Sequence, residues 1–204
     1  CDPKAHEAVS DYILLTSDTS VRKVLPITPN VSTDGSFTKT WKYEDGEWWL
    51  YKLQSSEATR SEVEISRVLR DCGWDAAEYR YVGSYRKRIK SRNFLGEDEF
   101  FEPYDSFRYA FSDISEDDDI VMANLSSLGE TYRSAWKRIL LADALFLNGD
   151  RHMRNFGVIR SARTGEVLRL APNFDNNQAF HGNPSGRYSA AMLRLYWKTA
   201  DDED

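Results

Sequence analysis

The sequence predicts an α+β chain in two lobes, sheet-rich through residue 95 and helical from residue 96 onward. Three observations carry this expectation: a run of period two broken by Asp45-Gly46, an amphipathic helix with renewed strand character behind it, and a long helical segment that turns apolar on every side. With 204 residues and 41% hydrophobic content, the chain can bury one sizeable core or fold as two lobes that share a cleft. Two fully independent domains would be small.

Residues 1 to 25 mix charge with the short apolar patch "YILL", which reads as a brief helix or strand. From 36 to 53, Phe37, Lys39, Trp41 and Tyr43 alternate up to Asp45-Gly46, and Trp48, Leu50 and Lys52 alternate after it. Asp-Gly between two such runs predicts a hairpin. In "SSEATRSEVEISRVLRDCGW", Ile65, Val68, Leu69 and Cys72 recur at helical spacing, and Gly73 stands where a helix stops. Residues 77 to 95 return to strand character around a turn at Gly83, so the order becomes two strands, a helix and two more strands.

Beyond Gly96 the chain is acidic and turn-rich, with Pro103 as punctuation, and the run Glu116 to Asp119 reads as a solvated loop or helix start. A strong helix, "ETYRSAWKRILLADALFLNG", then places Tyr132, Trp136, Ile139, Leu140 and Leu147 on one side. Because its end is hydrophobic all round, it is expected to be buried and to deliver Asp150 and His152 to the interior. "FGVIRSARTGEVLRLAPNFDNN" predicts a strand, a Thr-Gly turn and a second strand leading to Asp175, and residues 187 to 200 show another helical pattern.

The charge balance excludes some classes of function. A formal net charge of -6 argues against a general nucleic-acid binder, since affinity for phosphate backbones rests on clustered Lys and Arg. The one basic cluster, "YRKRIKSR", alternates like a solvated strand face. Two cysteines, Cys1 and Cys72, do not make a disulfide framework, which favours a reducing compartment, and no apolar stretch reaches membrane-spanning length. A first residue of Cys implies that the native start lies upstream or has been removed.

The chemistry concentrates in "LNGDRHMRNFGVI", residues 147 to 159. Asp150 opens the loop and can accept a hydroxyl proton, while Asn155 in the same loop and Asp175 after the next hairpin offer oxygen ligands of the kind Mg²⁺ takes. Phosphoryl transfer is mainly positioning and charge neutralisation, so a base and two metal-holding oxygens supply most of the apparatus. The protein-kinase catalytic loop has the same Asp to Asn spacing. A phosphate-gripping cation should then lie in the amino-terminal sheet: Lys52 is the candidate, paired with Glu62 or with Glu64 on the helix behind it.

The segment "VSTDGSF" precedes the hairpin and could cradle phosphates through backbone N–H groups and Ser36, although it holds one Gly where kinase loops hold three. His152 has no second His or Cys at ligand spacing, which disfavours zinc and leaves a loop-steadying role beside Asp150. Phe156 and Phe174 read as core packing.

These residues resemble a known family. "NGDRHMRNFGVI" with "APNFDNN", supported by "STDGSFTKTW", "WWLYK" and "SEVEISRVLRDCG", is similar to the HipA-like kinases, bacterial serine/threonine kinases of toxin and antitoxin pairs. The resemblance spans roughly residues 32 to 180. It implies a two-lobed protein-kinase-like fold with ATP in the cleft and a hinge near Phe94 to Glu99. Asp150 becomes the catalytic base with His152 beside it, Asn155 and Asp175 the Mg²⁺ ligands, Lys52 the phosphate-contacting lysine and Glu62 its partner.

Ser32, Gly35 and Ser36 become the phosphate loop, with Ser32 and Ser36 as candidates for autophosphorylation, and Phe94 lies beside the nucleotide. A protein substrate with a Ser or Thr acceptor, an antitoxin or other partner protein, and a location in the bacterial cytoplasm or inside a host cell follow from the same resemblance. The chain lacks room for the large helical carboxy-terminal region of full-length toxins, and a similar motif in phosphatidylinositol kinases keeps a lipid acceptor open. A domain that retains the cleft for partner binding without catalysis is the alternative from another class.

Overall fold

The computed structural model describes residues 39–84 and 86–180. The brief element within residues 1 to 25, the helix over 187 to 200, and Ser32, Gly35 and Ser36 of the phosphate loop lie outside the described residues.

Strands β1 (Lys39–Glu44) and β2 (Glu47–Leu53) form the expected antiparallel hairpin, with Glu44 opposite Glu47 and Lys39 opposite Lys52. Asp45 and Gly46 both take positive φ, 52° and 88°, the conformation that a two-residue turn of this hand requires. Helix α1 (Ser56–Asp71) follows. It starts where the Ser55 hydroxyl accepts the Ala58 N–H, and it stops at Gly73, whose φ of 74° few other residues adopt.

The face of α1 that meets the sheet differs from the expected one. Ile65 and Leu69 are buried, but Val68 and Cys72 are exposed, and their place is taken by Ala58, Glu62, Val63 and Ser66. A hydrophobic pattern alone cannot register that a carboxylate occupies the inward face when a cation waits beneath it. Strands β3 (Tyr79–Tyr81) and β4 (Arg88–Arg92) complete a four-stranded antiparallel sheet in the order β1-β2-β4-β3, with Gly83 at positive φ between them. The basic stretch alternates as expected, with Ile89 and Ser91 buried and Arg88 and Arg92 outward.

The segment read as acidic and turn-rich contains a strand and three helical elements. Strand β5 (Glu99–Pro103) joins β6 (Gly157–Ser161) and β7 (Val167–Leu170) in a second antiparallel sheet. Its partner lies more than fifty residues further on, so no local pattern announces it. A one-turn helix α2 (Tyr104–Phe107) and a 3-10 turn lead to α3 (Asp118–Ser127), which begins inside the acidic run, and then to α4 (Glu130–Phe146). Acidic residues at a helix start meet the positive end of its dipole.

The core of the second lobe gathers Tyr104, Val121, Leu125, Trp136, Leu140, Phe156 and Val158. Phe156 lies between Tyr104 and Trp136, with ring centroids 4.9 and 4.2 Å away. Contrary to expectation, the apolar end of α4 is not wholly buried: Leu145 is 60% exposed, and Leu147 leaves the helix in the left-handed region at φ 54°. Among the described residues, no helix is long and apolar enough to cross a membrane.

The two sheets meet along a narrow seam. Ala77 N–H donates to the Asn173 carbonyl, and Asn173 N–H donates to that of Asp75, at 2.9 and 3.0 Å. Phe94, just past β4, packs against Phe101 and Phe174 of the second lobe.

Candidate active site

Lys52, one residue before the end of β2, lies beneath α1, where its Nζ donates to Glu62 Oε1 at 2.9 Å and to Asp175 Oδ1 at 3.3 Å. The open choice between two carboxylates closes on Glu62, since Glu64 turns outward to Arg67. Lys52 is 6% exposed and Glu62 fully buried, so each charge needs the other. Burial by itself would lower the lysine's pKa, but Glu62, Tyr79 and Asp175 outweigh it and hold the ammonium well above the ordinary value.

The two carboxylates share that one ammonium and separate in consequence. Burial, opposed by Lys52 and reinforced by the negative charge of Asp175, pushes Glu62 up to about 8. Asp175 moves the other way: burial would raise it, yet the Lys52 ammonium beside it brings it down to about 2.

Asp175 adopts φ 60°, in the left-handed region that a side chain occupies at a cost of about 1 kcal/mol or more. Its neighbours hold it there. The Asp175 N–H donates to the Tyr79 hydroxyl at 3.3 Å, and Asn177 Nδ2 donates to Asp175 Oδ1 at 3.2 Å.

The loop after α4 departs from expectation at one point. Asp150 and His152 are exposed, and the residue delivered to the interior is Arg151 between them. The physical reason lies in α4: Asp143 is fully buried on the helix, and its charge calls for a cation beside it. Arg151 grips both Asp143 oxygens at 2.8 Å. Its Nη1 donates to the carbonyls of Asn155 and Phe174 at 2.7 and 2.8 Å, which clamps the loop after α4 to the residue before Asp175. Asn176 accepts a further hydrogen bond from Nη2 at 3.0 Å.

Arg151, Asp143, Tyr79 and Asn177 had no place in the site expected from sequence. One signal was available for the first pair: a lone Asp in "LLADALF", eight residues ahead of an Arg, asks for a buried partner.

His152 uses Nδ1 to accept the Arg154 N–H at 3.2 Å, and its carbonyl accepts the Asn155 N–H at 2.8 Å. Asn155 Nδ2 donates to the Asp150 carbonyl at 3.0 Å. With its nitrogen committed to the loop, the Asn155 side chain has its amide oxygen left to offer. Gly157 follows because β5 crosses so closely that an added Cβ would sit 2.8 Å from Pro103 Cα and closer still to the Glu102 carbonyl.

Asn155 and Asp175 supply neutral and anionic oxygen, the donor set of a hard cation, and Mg²⁺ is commonly held by one or two protein oxygens with waters and substrate phosphates. The residues therefore fit that ion. Among the described residues, no group of three His, Cys, Asp or Glu side chains is placed to hold a metal without such help. Phe94 contributes its ring to the seam between the lobes and its carbonyl to Arg169, at 3.1 Å.

A sheet-rich lobe, a helical lobe and this cluster at their junction define a kinase-like fold. The crystal structure of a Helicobacter pylori proinflammatory kinase, CtkA, matches with a TM-score of 0.65 at 17% identity, over 78% of this chain and 59% of that one. A Shewanella oneidensis MR-1 toxin–antitoxin complex of HipA, HipB and operator DNA matches with a TM-score of 0.46 at 14% identity, over 84% of this chain and 49% of the other. The chain spans less than two thirds of either. No protein-family model and no curated protein matches it.

Proposed function

We propose that the chain is an ATP- and Mg²⁺-dependent phosphotransferase of the HipA-like type, acting on a Ser or Thr hydroxyl of a protein. One observation carries the reading: Lys52 and Asp175, 123 residues apart, meet in a part-buried cluster with the fully buried Glu62, close to a loop that leaves Asp150 exposed. Surface ion pairs arise easily, but a lysine and a carboxyl removed together from water, with a second carboxylate brought in from a distant loop, mark a candidate functional cluster.

In this reading Lys52, kept charged by its two carboxylates, binds the nucleotide phosphates, and Glu62 fixes where its ammonium stands. Asn155 and Asp175 hold the Mg²⁺, which when bound neutralises phosphate charge. Asp150 has no partner on its carboxylate among the described residues and faces solvent, where a substrate hydroxyl can reach it. It orients that hydroxyl and takes its proton while the hydroxyl oxygen bonds to the γ-phosphorus and the bond to ADP breaks. His152 positions the loop through its two hydrogen bonds.

Ser32, Gly35 and Ser36 would cover the phosphates, and Phe94 would flank the nucleotide base. An antitoxin-type partner, and residence in a bacterial cytoplasm or a host cell, accompany the HipA-like reading.

The test is incubation of purified protein with γ-labelled ATP and Mg²⁺, alongside Asp150→Asn and Asp175→Ala, read by intact mass and phosphosite mapping. Transfer by the wild type alone is the expected result. Activity retained in either variant would refute the catalytic role of Asp150 or the metal-holding role of Asp175, and nucleotide binding without transfer to self, peptide or protein would favour a partner-binding domain.

A further inference from the structure

Beside the loop that carries Asp150, a cleft of about 320 Å³ opens between that loop and the start of α3. Glu116, Asp117 and Asp118 line it together with Trp136, Phe156 and His152. We infer that this cleft takes the guanidinium or ammonium of a basic residue next to the hydroxyl in the phosphoacceptor polypeptide. The inference names the substrate class of the site proposed above and rests on that reading.

The charges in the cleft are unbalanced. Glu116 is paired with Arg108 at 2.8 Å, and Asp117 accepts the Ser115 hydroxyl at 2.8 Å. Asp118 is half-buried and has no hydrogen-bond or ion-pair partner among the described residues. Burial, and then the negative charge of Asp119, Asp117 and Asp143, raise its pKa, which is the condition of a carboxylate short of a cation. Arg151 also reaches the cleft, but Asp143 already holds its guanidinium on both oxygens.

The aromatic lining selects the kind of cation. Trp136 is 1% exposed, and its indole N–H has no partner. Trp136 and Phe156 make that part of the lining apolar, which suits the weakly hydrated guanidinium or the aliphatic stem of a lysine. A polypeptide brings both groups this cleft lacks, a cation for Asp118 and carbonyl acceptors for an indole donor. A bare metal ion brings only the first. His152 stands two residues from Asp150, so a side chain seated here belongs to a residue within a few positions of the phosphorylated one.

Two fluorescent peptides centred on Ser, one flanked by Arg and one by Gln, would be titrated by anisotropy at fixed ionic strength into the full chain, into Asp118→Asn, and into Glu166→Gln. The last variant removes one charge from the turn between β6 and β7 and controls for the net negative charge. The Arg peptide should bind about tenfold more tightly than the Gln peptide to wild type, and Asp118→Asn should lose most of that preference while Glu166→Gln keeps it. Equal affinities in the wild type, or equal losses in both variants, would overturn the inference.

Labelled ATP added to the same peptides separates the two readings. Faster phosphorylation of the Arg peptide, expressed in KM and not in kcat, supports both. An Arg preference in binding without any transfer supports the cleft and removes the phosphotransferase.

Discussion

Replacing Asp143 by Ala should cost more stability than any surface change in this chain. Arg151 and Asp143 are 2% and 0% exposed at the side chain, and they are joined by two charge-assisted bonds of 2.8 Å. The variant leaves the guanidinium buried and uncompensated, a situation worth about 3–5 kcal/mol. Domains of this kind have roughly 5–15 kcal/mol in total, so the variant should unfold at a much lower urea concentration.

Arg151→Met should lose a similar amount by another route, because the Asn155 and Phe174 carbonyls and the Asp143 carboxylate lose a common donor. Asn148 Nδ2 still donates to Asp143 in that variant, at 2.8 Å. Since each single change removes the same contact, the double variant should fall short of the sum by about 0.5–3 kcal/mol. Urea denaturation followed by tryptophan fluorescence and circular dichroism measures all three. A loss below about 1 kcal/mol in Asp143→Ala, or strict additivity, would show that the pair does not clamp the two loops.

Gly157→Ala should destabilise by about 1–3 kcal/mol or more, because the new methyl meets the β5 backbone, which cannot rotate away as a side chain would. Thermal melts against wild type would show it, and an unchanged midpoint would contradict the close crossing. Lys52→Met should remove phosphate transfer and also raise the pKa of Asp175 from about 2, since the shared ammonium is what holds it down once burial is overcome. Carboxyl-carbon NMR titration would read that shift, and an unmoved Asp175 would refute the sharing.

Acid should act through the same residue. The folded pKa of Asp175 lies below its ordinary 3.8, so its contribution to stability is fully present above pH 3.8 and is lost as pH falls toward 2. Asp175→Asn should flatten that limb of a plot of urea midpoint against pH, and a limb of unchanged slope would assign the acid loss to other groups.

Much of the candidate site can be read along the chain because its residues are sequence neighbours or lie near the ends of strongly patterned elements. Asp150 and Asn155 share a loop, and Lys52 closes a hairpin marked by Asp45-Gly46. Asp175 follows a hairpin whose turn carries Gly165 at positive φ. Helix α4 and the hairpin strands could be read from periodicity alone, which is a local property of side-chain spacing. Strand β5 could not: its sequence has two adjacent Phe between acidic residues, and it is a strand because β6 arrives beside it from a distant part of the chain.

The amino-acid sequence by itself determined which chemical groups the chain owns, where helices α1 and α4 and the two hairpins fall, and that an Asp, an Asn and a second Asp recur at kinase-like spacing. Only tertiary structure decided which carboxylate meets Lys52, because Glu62 and Glu64 lie on one helix and the sheet beneath selects the face. It also decided that Arg151 turns inward while Asp150 and His152 stay at the surface. The reason is energetic: a buried charge is tolerated only where another element supplies its opposite, and that partner is fixed by packing between segments far apart in the chain.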